Sequence, residues 1–445
     1  MNIQWTGALI VWLVVCVVAG HVALALGARK IHAMFLMAGA FLLFSPVSGA
    51  MGIPAAISSP AKFARVYTTI LMILLGISFY RVGRIGPAAK VLLVFTVYYV
   101  VSAMWGETPI AGLMYKGGVF GATVLAGVVL ALSTPSIATF RRGLRFLAVL
   151  TAILGAVVVV YSIQNPQEVF RYGRLDVAGL LPIRVAMSMA TGILIWSYLA
   201  VYDRSRLWRW AAWPICGVLS SVVVLTGSRG AAATVLAGFF IQAVPLMRRG
   251  RQFLVTTVMA TILVGVAVYY IGESAGALRM TSTLDTRGQR WTRTWNLFLE
   301  SPVIGRGWIG TERTHSAWNA HSTYFQIALE TGAVGVFVMS ACLLLVAYFA
   351  WRSYKFMRRF PGVSGETILV ASILGSLMVD ALSDSAMVFG SMPNTLFLGF
   401  AVGMIDRLPG LVRTEMARAA IRWRYMAAVR RFFRGLPPAR PKTAT

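Results

Sequence analysis

The chain has 445 residues, of which 58% are hydrophobic and 12% charged, with a mean hydropathy of +0.74. Soluble domains carry about 25% charged residues, so a single water-soluble core is excluded and a polytopic membrane protein is implied. Forty-one Lys and Arg against fourteen Asp and Glu leave a net charge of +27, which in water would point to nucleic acid; in a membrane protein it is what positive cytoplasmic loops produce.

Residues 1 to 26 begin without a positive stretch and run apolar to Leu26 with no small-residue cleavage site, so they read as a first span and not a removed signal. Apolar stretches follow near 31 to 50, 64 to 80, 91 to 105, 117 to 133, 146 to 163, 183 to 201, 211 to 226, 230 to 246, 253 to 272, 322 to 350, 367 to 388 and 392 to 406. The expected fold is therefore all-α and polytopic, with 12 or 13 transmembrane helices. Cys16, Cys216 and Cys342 fall in separate apolar runs, a pattern that gives neither a disulfide framework nor a metal spacing.

Loop charges set the orientation. Arg81/Arg84/Lys90, Arg141/Arg142/Arg145, Arg204/Arg206/Arg209, Arg248/Arg249/Arg251 and Arg352/Lys355/Arg358/Arg359 occupy every second connection, as cytoplasmic loops do. The C-terminus is then cytoplasmic. Thirteen spans put the N-terminus outside; twelve require a short or re-entrant segment within 31 to 80.

One outer connection, 273 to 320, is long and breaks the charge trend. It carries Arg279, Arg287, Arg290, Arg293, Arg306 and Arg313, and Arg171, Arg174, Arg184 and Arg229 fall on the same face. A guanidinium fork binds carboxylate or phosphate oxygens bidentately and keeps its charge at any working pH. A polyanion at the outer leaflet is the matching partner; pairing with outer carboxylates or lipid phosphates is the plainer one. Preference for Arg over Lys carries no weight here, because the chain has 35 Arg and 6 Lys.

Within this loop Trp291, Trp295, Phe298 and Leu299 recur at helical spacing. The pattern predicts a short helix lying on the outer leaflet and ending before Pro302, with Arg287 one turn before Trp291. Gly305, Gly307 and Gly310 then mark an irregular segment able to pack close to a substrate. His321-Ser322-Thr323 opens the next apolar run at the membrane surface, where a near-neutral histidine is a candidate general base or hydrogen-bond donor. His315 competes for that role on spacing alone.

Four short elements resemble one family. Gly227-Ser228-Arg229-Gly230, then Arg287-x-x-x-Trp291, then Ser301-Pro302-Val303-Ile304-Gly305-Arg306-Gly307, then Ala320-His321-Ser322-Thr323-Tyr324 with Glu330-Thr331-Gly332-Ala333-Val334-Gly335, look like the signature of the O-antigen ligase and O-antigen polymerase superfamily. The specific part spans about residues 225 to 336. Many relatives have His-Asn where this chain has His321-Ser322, and His315 has no counterpart, so the resemblance selects His321.

The resemblance implies a GT-C-like, metal-independent, inverting glycosyltransferase in the bacterial inner membrane with its active site facing the periplasm. Its donor would be a glycan on undecaprenyl pyrophosphate; its acceptor would be a lipid A core oligosaccharide in a ligase or a second lipid-linked glycan in a polymerase. His321 would be catalytic, and Arg229 and Arg287 would hold the pyrophosphate, with Arg290 and Arg184 as weaker candidates. Glu330 matches the motif but lies inside the helix, where hydrogen bonding within the bundle is its plainer use. No cofactor is implied. On this reading 1–272 and 321–406 are transmembrane helices, 273–320 is the periplasmic catalytic loop and 407–445 is a basic cytoplasmic tail.

Two other classes fit the same composition. A transporter or flippase would show internal repeats and ionisable or broken-helix features at mid-membrane. No repeat is visible; Asp380 and Asp384 are its best support, although neighbouring serines mark that stretch as the outer end of a span. A non-catalytic assembly protein would not need the arginine and histidine combination. In the tail, ten Lys and Arg interleave with Met416, Ile421, Trp423, Met426, Phe432 and Phe433. That pattern predicts a basic interfacial helix on membrane lipids of the anionic inner leaflet in preference to nucleic acid.

Overall fold

The computed structural model describes Phe35, Ala38, Gly39 and residues 68–77, 84–106, 109–164, 175, 182–244, 277–308, 320–360, 363–383 and 393–433. Among them every regular element is a helix. In chain order these are α1 (Thr68–Ile77), α2 (Pro87–Val101), α3 (Pro109–Tyr115), α4 (Ala122–Leu132), α5 (Ile137–Gln164), α6 (Pro182–Tyr202), α7 (Arg206–Leu225) and α8 (Arg229–Ala243). After them come α9 (Ala277–Glu300), α10 (Thr323–Met357), α11 (Ser364–Ser383) and α12 (Pro393–Phe433). A π-helical turn, Lys116–Gly121, joins α3 to α4.

Eight helices among the described residues are long and apolar enough to cross a membrane. The chain is thus an all-α polytopic membrane protein. Ile110, Phe240, Phe337 and Leu344 are each more than two-thirds exposed, a surface that suits lipid and not water. The spans expected at 1–26 and 253–272 lie outside the described residues.

With no hydrophobic drive between helices in lipid, close packing needs small residues. The contact of α4 with α12 has this form: a Cβ on Gly127 would lie 2.2 Å from the Leu396 carbonyl oxygen, and one on Gly399 would lie 2.2 Å from that of Val124.

Helix ends sort into two groups that touch only their own kind in the bonds described here. At one end α12 closes three neighbours. Asp406 accepts from the Ala88 and Ala89 amides at the start of α2, at 3.3 and 2.9 Å. Arg407 donates to the Thr134 carbonyl beyond α4, and Glu415 accepts from the Ile137 amide opening α5. Each bond satisfies a backbone group that the helix itself leaves unpaired. At this end, too, Arg145 grips Asp203 bidentately at 2.8 and 2.7 Å, and Arg141 pairs with Glu366. All these residues flank the connections whose charges predicted a cytoplasmic location.

Two expectations on element length change. The outer-loop helix is 24 residues long, so the apolar stripe from Trp291 is only its last part; there Thr292 and Thr294 bond back to the carbonyls of Gly288 and Arg290. The basic tail is not a separate helix: it continues the last span through Pro409 to Phe433 as one 41-residue helix.

Candidate functional site

The other end of the bundle gathers the residues of interest, and their depths follow from one polar contact in the core. Gln242 of α8 donates to Ser372 Oγ of α11 at 3.1 Å and to the Leu194 carbonyl of α6 at 3.0 Å. These three positions therefore share a level. At about 1.5 Å per residue, Arg229 stands roughly 20 Å from it, Arg184 roughly 15 Å and Ala381 roughly 14 Å, all toward the same end. Ser322 Oγ donates to the Ala381 carbonyl at 3.4 Å, so His321 joins them. Arg184, Arg229 and His321 are half-buried.

Local sequence explains how Arg229 is presented. Gly227 ends α7 with a φ of 61°, a left-handed cap that glycine adopts without strain. Ser228 is the N-cap of α8 and accepts from the Ala231 amide. Arg229 is then the first helical residue, at the positive end of the helix dipole.

α9 docks beside α10 through Trp291, whose ring stacks on Phe325 at 5.5 Å, one turn past His321. The apolar stripe of α9 is split: Trp291 and Phe298 are half-buried, while Trp295 and Leu299 are about half exposed. The stripe thus serves both the bundle and the surroundings. The Trp291 indole nitrogen is buried with no hydrogen-bond partner among the described residues. Arg287 lies on α9 one turn before Trp291, and its side chain lies outside what is described, as does His315. Arg290 is exposed.

The two glycine-bearing motifs form one device. α10 is broken at Gly332, with φ 66° and ψ −165°, a region reached almost only by glycine. The break leaves backbone groups without helical partners, and the 302–307 segment takes four of them. Arg306 and Gly307 amides donate to the Leu329 and Glu330 carbonyls at 2.9 Å each, while Ala333 and Val334 amides donate to Pro302 and Val303 at 2.8 and 3.2 Å. In lipid each unpaired group would cost several kcal/mol. Gly305 and Gly307 have positive φ and no room for a Cβ: it would lie 2.4 Å from the Thr331 nitrogen in one case and 2.3 Å from that of Gly106 in the other. At these two positions the missing Cβ admits the protein's own backbone, in a segment whose glycines also mark it as able to pack close to a substrate.

Beneath the break lies a polar cluster in which Tyr99, Ser102, Lys116, Gln326 and Glu330 are all buried. Glu330 Oε2 pairs with Lys116 Nζ at 2.6 Å and accepts from Tyr99 OH at 2.7 Å. Its Oε1 accepts from Gln326 Nε2 at 2.6 Å. Lys116 also donates to Ser102 Oγ at 3.1 Å and sits 4.0 Å over the Tyr99 ring. Glu330 does bond inside the bundle, but to a charge. Lys116 was missed because it sits just ahead of the apolar run starting at 117; the only signal was a lysine beside two glycines, where the helix widens into the π turn.

Gln326 Oε1 accepts the Ala320 amide at 3.1 Å, which ties the cluster to the next residue, His321. His321 has a φ of 49°, the one positive value outside glycine among the described residues, at a cost of about 1–2 kcal/mol. Asp380 is buried and accepts from Asn394 Nδ2 at 2.6 Å, near the end of α11. Asp384 lies outside the described residues. Among those described, no three His, Cys, Asp or Glu side chains come together as metal ligands would.

Residues 214–340 match the family model described as O-antigen ligase. That segment carries Arg229, Arg287, Arg290, His321 and Glu330, whereas Lys116 and Arg184 lie before it. No curated protein matches the chain.

Proposed function

From the match of residues 214–340 to the O-antigen ligase family model, we propose that the protein transfers a glycan from undecaprenyl pyrophosphate to a lipid A core oligosaccharide at the periplasmic face of the inner membrane. The observation that carries the reading is that Arg184, Arg229 and His321 lie at the same end of the bundle, beside the helix that bears Arg287 and Arg290.

Such a transfer breaks the bond from the anomeric carbon to the pyrophosphate oxygen, whose electrons leave with the pyrophosphate. Arg229 and Arg287 hold the growing negative charge, with Arg290 and Arg184 in support, in a partly dehydrated place where fixed charges act strongly. The acceptor hydroxyl attacks from the opposite side of the sugar ring and inverts the anomeric centre. His321 takes its proton. The buried indole N–H of Trp291 adds a neutral donor on the same side. Arginine here supplies the neutralisation that a divalent cation supplies elsewhere.

The same chemistry serves a polymerase that joins lipid-linked repeats, with only the acceptor changed. Transport keeps one supporting feature, the broken helix with a buried ion pair. The break, however, lies within the first three turns of α10, and four of its backbone groups are bonded to residues 302–307, a use in holding the protein's own chain. Lipopolysaccharide banding of a deletion strain tests the assignment. Core-only bands with accumulating lipid-linked polymer support the ligase, core plus one repeat moves the assignment to the polymerase, and unchanged bands reject both.

A further inference from the structure

The buried Lys116–Glu330 pair takes no part in the proposed transfer, and it is an expensive feature to keep. Removing two charges from water costs so much that a well-packed apolar pair of similar volume is often as stable or more so. Stability therefore does not explain the pair, whereas its bonds do suggest a use. A carboxylate only accepts hydrogen bonds, so Glu330 compels Gln326 to turn its amide nitrogen inward. The amide oxygen must then face the other way, where it accepts the Ala320 N–H. That peptide precedes His321, whose left-handed backbone is held by its surroundings and not by preference.

We propose that Glu330, paired with Lys116, is a positioning residue that fixes the backbone of His321 through Gln326 and the Ala320 amide. The proposal rests on His321 being the catalytic base. A neutral group at position 330 could donate as well as accept, so the Gln326 amide would turn over and the Ala320 N–H would lose its acceptor. His321 would then wander from the acceptor hydroxyl without any change in how the arginines hold the donor.

The test uses the full-length protein in detergent with lipid-linked glycan and lipid A core acceptor, comparing Glu330→Gln, Gln326→Leu and the paired Lys116→Met/Glu330→Met. In all three, kcat should fall about 10- to 100-fold, the scale of misplacing a reacting group by an ångström, while KM for the donor stays within about twofold. The paired variant leaves no charge unpaired, although the Tyr99 hydroxyl and the Gln326 amide lose their acceptor, so turnover is compared at matched folded protein; parental kcat in it would overturn the proposal. A readout independent of turnover is the rate at which diethyl pyrocarbonate modifies His321, followed by mass spectrometry of its peptide. That rate should change in every variant, and a rate equal to the parent's would reduce the cluster to a structural role. If His321→Ala stays active, the catalytic reading fails by itself, while the modification rate still decides whether Glu330 positions His321.

Discussion

His321 combines a strained backbone with a place at the same end of the bundle as two arginines, and strain of this kind persists only where the surroundings hold it. His321→Ala should lower transfer about 10²- to 10⁴-fold, the usual worth of a positioned acid or base, with expression and detergent melting unchanged; near-parental activity at matched protein would pass the role to His315. For Arg229 and Arg287, lysine keeps the charge and loses the bidentate fork. Activity should fall with Lys and further with Ala, measured together with binding of the pyrophosphate donor, and a double variant that binds donor normally would move the site elsewhere on this face. Arg229 and His321 were legible as candidates because each opens or precedes an element: Arg229 follows a glycine cap and a serine N-cap, and His321 precedes a long apolar run. Lys116 was not, since its partner Glu330 is 214 positions away and no periodicity connects two residues across that distance.

The helices themselves could be read from apolar run length, because a span must satisfy its backbone internally. Their breaks and joins could not. Gly332 sits in a run that reads as continuous, and only the return of residues 302–307 shows why the helix can open there. Gly332→Ala should therefore cost roughly 2–4 kcal/mol, from a backbone that alanine cannot adopt and a Cβ crowded against Val303. Unfolding in detergent would measure it, and a melting midpoint equal to the parent's would show that the break is dispensable. At the opposite end, burial pushes the Asp203 carboxyl up, but hydrogen bonds from Arg145 and the Ser205 amide, with the charges of Arg145 and Arg141, bring it below the usual carboxylate range. A lowered folded-state pKa gives stabilisation that is complete above the unfolded value near 3.9 and is lost as pH falls through the folded value. Asp203→Asn should accordingly lower the melting midpoint at pH 7, with the gap closing below about pH 4; a gap that persists in acid would assign the effect to packing.

At the scale of the molecule, loop charge predicted which helix ends belong together, and the two groups of contacts agree with that sorting. One end is closed by acids and arginines paired with each other, as in Arg141 with Glu366 and Arg145 with Asp203. The other end collects arginines at the starts of α6, α8 and within α9, where the described ion pairs are Arg306 with Glu300, both substantially exposed, and the buried Lys116 with Glu330. An end so rich in fixed positive charge can neutralise a departing pyrophosphate without an added cation. On the proposed reading the glycosyl pyrophosphate bond itself would supply the driving force, and the sequence has no G-x-x-x-x-G-K-[ST] loop for a nucleotide. Purified protein given lipid-linked donor and acceptor in excess EDTA, with no nucleotide, should therefore make product at the rate seen without chelator. Activity that disappears with EDTA and returns only on adding Mg²⁺ or Mn²⁺ would mean that the arginines bind the donor but a metal carries the leaving-group charge.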